Sequence, residues 1–362
     1  MTTNGQKTSG MTGDRLRVGV VGCGTIASAH LPYIQKAGGE LVALADLSIR
    51  RSSDLADRFG VQRVYRAVED MLAQERLDVI HVLTPPQSHA SVAVAALDCG
   101  IATLVEKPLA LDLREVVAMA AAAKRSGALL TVDHNRLFDP PMLEARRLWE
   151  SGKLGDLVAI ESFQAGRASE RAWLGEIAGG GLGDLVPHPL YLQLYFLGEV
   201  EELHATAFSP SGGTNPEELR VLMKGEGRTG VLTISMNAAP GMNTLKLCGT
   251  KMTVEVNLNN MTVVRRRDYE VPKIIAKPLP NLDEAWQLVG QTAQNTIDFV
   301  RGRIRYYPGM GELIARFYQA VRNGTAPPVS IEEAASVVDV TNRIWNDLAG
   351  DSRSADRPAV EA

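Results

Sequence analysis

At 362 residues, with 45% hydrophobic and 22% charged content and a formal net charge of −4, the chain reads as an ordinary globular protein of about two domains. No basic patch dominates, so nucleic acid is not an expected partner, and no apolar run approaches the ~18 residues of a membrane helix, so no membrane partner is expected either. Three scattered cysteines, Cys23, Cys99 and Cys248, form no C-x-x-C pair, which suits a reducing, cytoplasmic setting.

Residues 1–14 are rich in Thr, Gly and Ser, lack the apolar core of a secretory signal and are expected to be a disordered leader. Val18 to Ala27 then reads V-G-V-V-G-C-G-T-I-A. A β-branched strand meets glycines and turns into a helix start. In the G-x-G-x-x-A pattern Gly22 permits the turn, Gly24 lets backbone approach a diphosphate, and Ala27 lets the helix pack close. A diphosphate would lie on the free N–H groups of that helix start. Alone this pattern also describes a plain turn. A second apolar strand, Leu41 to Ala45, ends in Asp46, placed where an acid accepts both ribose hydroxyls.

Helical spacing follows over Ile49 to Phe59 and Ala67 to Gln74, with a short strand near Val64. Leu77 to Leu83 is almost continuously apolar, the mark of a strand buried on both faces, and it runs into Thr84-Pro85-Pro86. A helix over Ser88 to Leu97, a strand over Ala102 to Val105 ending in Glu106-Lys107-Pro108, a helix over Leu113 to Lys124 and a strand over Leu129 to Asp133 complete the alternation. Such alternation predicts a doubly wound parallel sheet over residues 15–137. Gly22, Asp46, Thr84, Glu106, Lys107 and Asn135 all fall at or just past its C-terminal strand ends, where such sheets bind ligands.

The texture changes over residues 138–350. A helix over Met142 to Glu150 leads to a strand over Val158 to Phe163 and a Gly-rich stretch, Gly179 to Gly183, before Asp184 and His188. Six further strands between Glu202 and Arg266 follow with short turns, which predicts a mainly antiparallel sheet. Helices return over Leu282 to Val300, Glu312 to Arg322 and Ile331 to Leu348, the last opened by a Ser330/Glu333 capping box. These C-terminal helices are expected to pack back on the first domain. Residues 351–362 are polar and are expected to fray.

Lys107 ends a strand at the crevice, where it can hydrogen-bond a reacting oxygen. Asp184 and His188 are four apart. On one helix they would share a face, the carboxylate orienting the imidazole while it takes a proton, although Pro187 and Pro189 restrict that helix to its first turn. His30 lies in the first helix and faces the crevice in this reading. No H-x-x-x-H spacing or Cys/His cluster occurs, so no metal site is expected. Cys23 reads as a small turn residue, and the Arg265-Arg266-Arg267 run as a solvated strand end. No G-x-S-x-G elbow or P-loop occurs.

The glycine turn, D-L-S-I-R-R, T-P-P-Q-S-H-A, V-E-K-P-L-A and W-L-x-x-x-x-A-G-G-G-L-G-D-x-x-x-H together make the chain from Arg15 to Leu348 resemble the glucose–fructose oxidoreductase/inositol dehydrogenase (Gfo/Idh/MocA) family. The resemblance implies a Rossmann domain plus an α/β domain with a large open sheet, and a homodimer or homotetramer built through that sheet. It implies Lys107, Asp184 and His188 as the catalytic set. Gly22, Gly24, Thr25, Ile26, Ala27, Asp46, Arg51, Thr84, Pro85, His89, Glu106, Lys107 and Asn135 would hold the cofactor, NAD rather than NADP because Asp46 repels a 2′-phosphate. Lys107, Asn135, Trp173, Asp184, His188 and Tyr191 would face a polyhydroxylated substrate. Two positions depart from the family's D-x-G-x-H-x-x-D: Val186 stands for the glycine and Tyr191 for the last acid. The implied reaction is hydride transfer between nicotinamide and a secondary alcohol of a sugar, glycoside or cyclitol. An enzyme that recycles bound NAD, and a non-catalytic dinucleotide sensor, are the alternatives.

Overall fold

The computed structural model describes residues 15–166, 172–269, 271–302, 304 and 306–354. The expected leader lies outside them, as does most of the expected frayed tail. Six strands, β1 (Leu16–Val21), β2 (Gly39–Ala45), β3 (Arg63–Tyr65), β4 (Val79–Val82), β5 (Ala102–Val105) and β6 (Leu130–Val132), pair in parallel in the order β3-β2-β1-β4-β5-β6. Every residue of β4, β5 and β6 is buried, as their continuous apolarity requires. Helices α1 (Thr25–Lys36), α2 (Ile49–Phe59), α3 (Val68–Gln74), α4 (His89–Asp98) and α5 (Leu113–Ser126) are the crossovers. The strand order reverses between β1 and β4, which opens the crevice of a doubly wound sheet.

After α6 (Pro140–Glu150) come β7 (Leu157–Ala165), α7 (Gly180–Leu185) and α8 (Pro187–Leu197). Then β8 (Glu202–Phe208), β9 (Glu218–Gly225), β10 (Arg228–Ser235), β11 (Met242–Gly249), β12 (Thr253–Asn257) and β13 (Thr262–Arg266) complete a second sheet, ordered β13-β12-β11-β7-β10-β9-β8. Its pairs are antiparallel except β7 with β10. The sheet is thus mainly antiparallel, as expected, with one parallel pair. The chain leaves β7 through α7 and α8 before returning, and a long crossover of this kind is what parallel pairing needs. Helix α8 carries Pro187 at its first position and Pro189 two later, both within the first turn where no i→i−4 bond is lost. It is buried almost all round, so its sequence shows no amphipathic period.

The chain ends with α9 (Lys273–Ala276), α10 (Pro278–Val300), α11 (Pro308–Asn323) and α12 (Ile331–Ser354). Helix α11 lies against α1, and α12 packs on α5 and β6 of the first sheet as well as on α8 and β8. Thr131 Oγ1 donates to Val329 O at 3.0 Å and Arg322 to Gly38 O at 3.1 Å. The last helices therefore do return to the first domain. Helix α12 also continues to Ser354, so the tail expected from residue 351 is helical for its first four residues. Its start has the expected reciprocal box: Glu333 N–H donates to Ser330 Oγ at 3.1 Å, and Ser330 N–H to Glu333 Oε2 at 2.7 Å. Replacing Ser330 by Ala should cost about 1 kcal/mol of unfolding free energy in urea, with unchanged m-value.

Candidate active site

The first-strand turn pairs a tightly packed glycine with an open one. Gly22 has φ +92° and donates its N–H to Ala45 O at 2.8 Å; a Cβ there would lie 2.5 Å from Leu83 O. At Gly24 a Cβ would project into open space instead, which is the room a ligand needs. Gly24 is also the N-cap of α1 and supplies no side-chain bond, leaving the first-turn N–H groups of Thr25 and Ile26 without a side-chain acceptor. Ala27 is fully buried beneath. Asp46 follows β2. Its Oδ2 accepts Cys23 N–H at 2.8 Å, and its Oδ1 accepts Ser48 N–H at 2.7 Å and Arg51 Nε at 3.2 Å. The carboxylate is thus locked in place, with Arg51 offsetting part of its charge. Burial, aided by Asp46 and opposed by Arg51, pushes the Cys23 thiol up to about 12, so it is inert turn packing.

Past β4, Ser88 Oγ donates to Thr84 Oγ1 at 2.8 Å, holding the Thr84–Pro85 turn. His89 lies behind that turn rather than on its open side. It is fully buried, and its ring nitrogens sit 2.8 Å from Thr84 O and 2.8 Å from Pro108 O. Burial holds its pKa below the usual value. It ties two crevice loops together, a different use from the cofactor contact the motif implied.

Lys107 reaches from the end of β5 to the second domain. Its Nζ donates to Asp184 Oδ1 at 2.6 Å and to Asp184 O at 2.9 Å, and both side chains are 12% exposed. Asp184 lies near the end of α7 and His188 near the start of α8; Val186 between them keeps helical dihedrals, and Pro187 and Pro189 supply no N–H to the joint. The expected Asp184–His188 bond is not among the hydrogen bonds of the described residues. His188 Nδ1 instead meets Tyr191 Oη at 3.1 Å. Tyr191 Oη accepts Arg136 N–H at 3.2 Å and donates to Asn135 Oδ1 at 3.5 Å. Burial, with Lys107, Arg136 and His134 adding to it, holds His188 well below the usual histidine range, so its ring is neutral. Burial holds the Tyr191 phenol protonated. Trp173 is half-buried on the short turn Ala172–Glu176, and Gln87 Nε2 donates to Glu176 Oε2 of that turn at 3.3 Å, joining it to the Thr84 loop.

Beneath Lys107 runs a buried polar chain that no sequence spacing announces. Glu106 Oε2 accepts Lys107 N–H at 2.8 Å. Its Oε1 is 3.4 Å from His30 Nε2, which is also 3.2 Å from Asp133 Oδ2. His30 Nδ1 is 3.3 Å from His81 Nδ1, and His81 Nε2 is 2.9 Å from Tyr318 Oη on α11. His30 therefore points inward to two acids, fully buried, and does not face the crevice. The donor set His30, Glu106 and Asp133 is gathered tightly enough to suit a cation, and here the imidazole occupies the acids. Burial opposes charge on His30, but the bonds to Asp133 and Glu106 outweigh it and raise its pKa to about 9. Burial pushes Asp133 up; the His30 bond pulls it back, and the Glu106 charge pushes up again.

Comparison with known proteins places this geometry. Residues 16–134 match the model of an oxidoreductase family with an NAD-binding Rossmann fold, and residues 142–255 match the GFO/IDH/MocA C-terminal domain. An uncharacterized oxidoreductase of Rhizobium meliloti is 26% identical over 95% of this chain and 98% of its own length. Inositol 2-dehydrogenase 4 of Saccharopolyspora erythraea is 30% identical over 57% of this chain and 63% of its own length. Several other curated relatives are likewise matched over less than two thirds of their length, from 38% to 63%. Among solved structures, an NAD binding oxidoreductase from Klebsiella pneumoniae superposes with a TM-score of 0.78 at 20% identity, covering 94% of this chain and 98% of that one.

The buried chain sets a pH dependence. His30 holds its proton more tightly folded than unfolded, about 9 against 6.5. Its stabilisation is complete below pH ~6.5 and is lost as pH rises through about 9. Urea unfolding across that window should show wild-type stability falling by up to ~3 kcal/mol, a fall that His30→Gln removes.

Proposed function

Because this chain belongs to the Gfo/Idh/MocA oxidoreductase family, we propose that it is an NAD-dependent enzyme acting on a secondary alcohol, or the matching ketone, of a sugar, glycoside or cyclitol. The observation that carries this reading is the meeting of Lys107 with Asp184 beside His188, at the strand ends that also hold the glycine turn and Asp46.

The residues present fit the cofactor. The α1 start offers uncapped N–H groups beside an open Gly24, and Asp46 offers a fixed carboxylate for a ribose diol. Nicotinamide, when bound, supplies the hydride acceptor or donor. Everything else falls to the chain. A Tyr191 hydroxyl that donates to Asn135 and accepts from Arg136 N–H can also accept from His188 Nδ1–H. That tautomer leaves Nε2 with its lone pair, ready to take the substrate hydroxyl proton. Tyr191, standing where the family carries an acid, thus orients the base. The Lys107 ammonium stabilises negative charge developing on the same oxygen, and Asp184 fixes that ammonium in position. The polyhydroxylated substrate class follows the inositol dehydrogenase relative and this cluster of hydrogen-bonding side chains.

A panel of sugars, cyclitols and glycosides, read by NADH absorbance, tests the activity; net NADH separates it from an enzyme that recycles bound cofactor and from a non-catalytic sensor. Lys107→Ala should lower kcat/KM by ~10³-fold while leaving NAD affinity by fluorescence titration within a factor of about 3; retained turnover refutes the role. Tyr191→Phe should lower kcat about tenfold, shift the pH limb assigned to His188, and leave KM nearly unchanged.

A further inference from the structure

Among the described residues, helix α10 stands apart from the other long helices: it spans 23 residues and buries none of them. It touches the body through one polar row. Gln287 Nε2 donates to Arg265 O at 3.0 Å and its Oε1 accepts Arg265 N–H at 2.9 Å. Gln291 makes the same pair of bonds to Val263, at 2.7 and 2.6 Å. Asn295 Nδ2 donates to Met261 O at 2.8 Å, and Glu284 binds Arg266 at 2.7 Å.

The outward surface is of the opposite character. Leu282, Trp286, Leu288, Val289, Ile297, Phe299 and Val300 are all exposed, Trp286 to 78% and Val300 to 79%. The three acids of α10, Asp283, Glu284 and Asp298, all lie off this surface, half-buried, and no Lys or Arg lies within the helix. Charge depletion with apolar and aromatic enrichment is the composition of an interface core, and an exposed apolar stripe of this kind marks an association site.

The spacing says what covers it. Leu282, Trp286, Val289, Ala293, Thr296 and Val300 recur at intervals of four, three, four, three and four, the repeat of a helix that packs against another helix. The stripe is also complementary to itself when reversed. About residue 291, Leu282 falls opposite Val300, bulky Trp286 opposite small Thr296, and Val289 opposite Ala293. Small Ala293 near the centre lets two backbones approach. A self-complementary patch is what a twofold interface requires.

We propose that α10 pairs antiparallel with α10 of a second copy of this chain, centred near residue 291. The interface is separate from the open sheet face and independent of the chemistry proposed above.

Sedimentation equilibrium or light scattering should find an assembly, and Trp286→Glu should cut its molar mass by a factor of two while NAD affinity is retained as the measure of folding. Co-expressed, differently tagged Val289→Cys and Ala293→Cys chains, each carrying Cys99→Ser, should give a disulfide heterodimer under mild oxidation, and Val289→Cys alone should not. A monomeric wild type overturns the proposal, as does an assembly indifferent to Trp286→Glu. Cross-linking by Val289→Cys alone overturns the antiparallel register. A monomer that sediments with vesicles of phosphatidylglycerol would assign the surface to lipid instead.

Discussion

The site depends on one ammonium crossing from one sheet to the other. Lys107 is fixed by β5 in the parallel sheet, while the two acceptors of its ammonium, Asp184 O and Oδ1, belong to the second domain. Desolvating a lysine and a carboxylate costs several kcal/mol per ion, and only good geometry with more than one acceptor offsets that. The contact forms because α7 is placed from behind. The Trp345 ring of α12 lies where a Cβ on Gly179 would be, and Gly179, at φ +72°, is the N-cap of α7. Helix α12 itself packs on both sheets. The Lys107–Asp184 contact is thus set by the last helix of the chain as much as by the strand that carries the lysine.

The other side of Lys107 is held by polar rather than apolar packing. From Glu106 through His30 and His81 to Tyr318, the buried chain joins the E-K-P turn to α11. Such networks are rigid when fully bonded and costly when not. Here one atom, Asp133 Oδ1, is buried without a hydrogen-bond partner among the described residues. An orphaned oxygen disfavours the ionised acid, in agreement with the upward push that burial gives Asp133. The cluster then keeps Glu106 charged, its pKa held down by His30 and Lys107 against burial, directly under the backbone of Lys107.

Much of this could be read before any coordinates because the signals were local. Fully buried parallel strands write themselves as unbroken apolar runs, and the turn at Gly22, the acid at Asp46 and the Ser330/Glu333 box each rest on residues close in sequence or at a fixed offset. What escaped is what depends on distant packing. Asp184 and His188 are four apart and the backbone keeps helical dihedrals through Val186, yet each side chain finds a different partner, Lys107 from the other domain for one and Tyr191 for the other. Helix α8 is buried almost all round and shows no period. His30 and His89 carry no mark that says which way a histidine turns, and both turned inward. Tyr191 looked like the loss of an acid and is a replacement for its orienting role in the reading proposed here.

The edge of the second sheet explains why α10 has the surface it has. Strand β13 leaves its outward N–H and C=O groups without a neighbouring strand, a template for unwanted pairing unless something covers it. Four residues of helix advance about 6 Å, close to the roughly 6.8 Å that two residues of antiparallel strand advance. Gln287 and Gln291 therefore meet Arg265 and Val263 in register, each side-chain amide giving and taking one bond as a strand backbone would. A helix that turns its polar row to a strand edge has only its remaining surface to be apolar with, so the apolar stripe must face away from the body. Protecting one edge from promiscuous strand pairing has in this way relocated the sticky surface to a helix, where side-chain shape and spacing, rather than generic backbone bonding, select what can bind it.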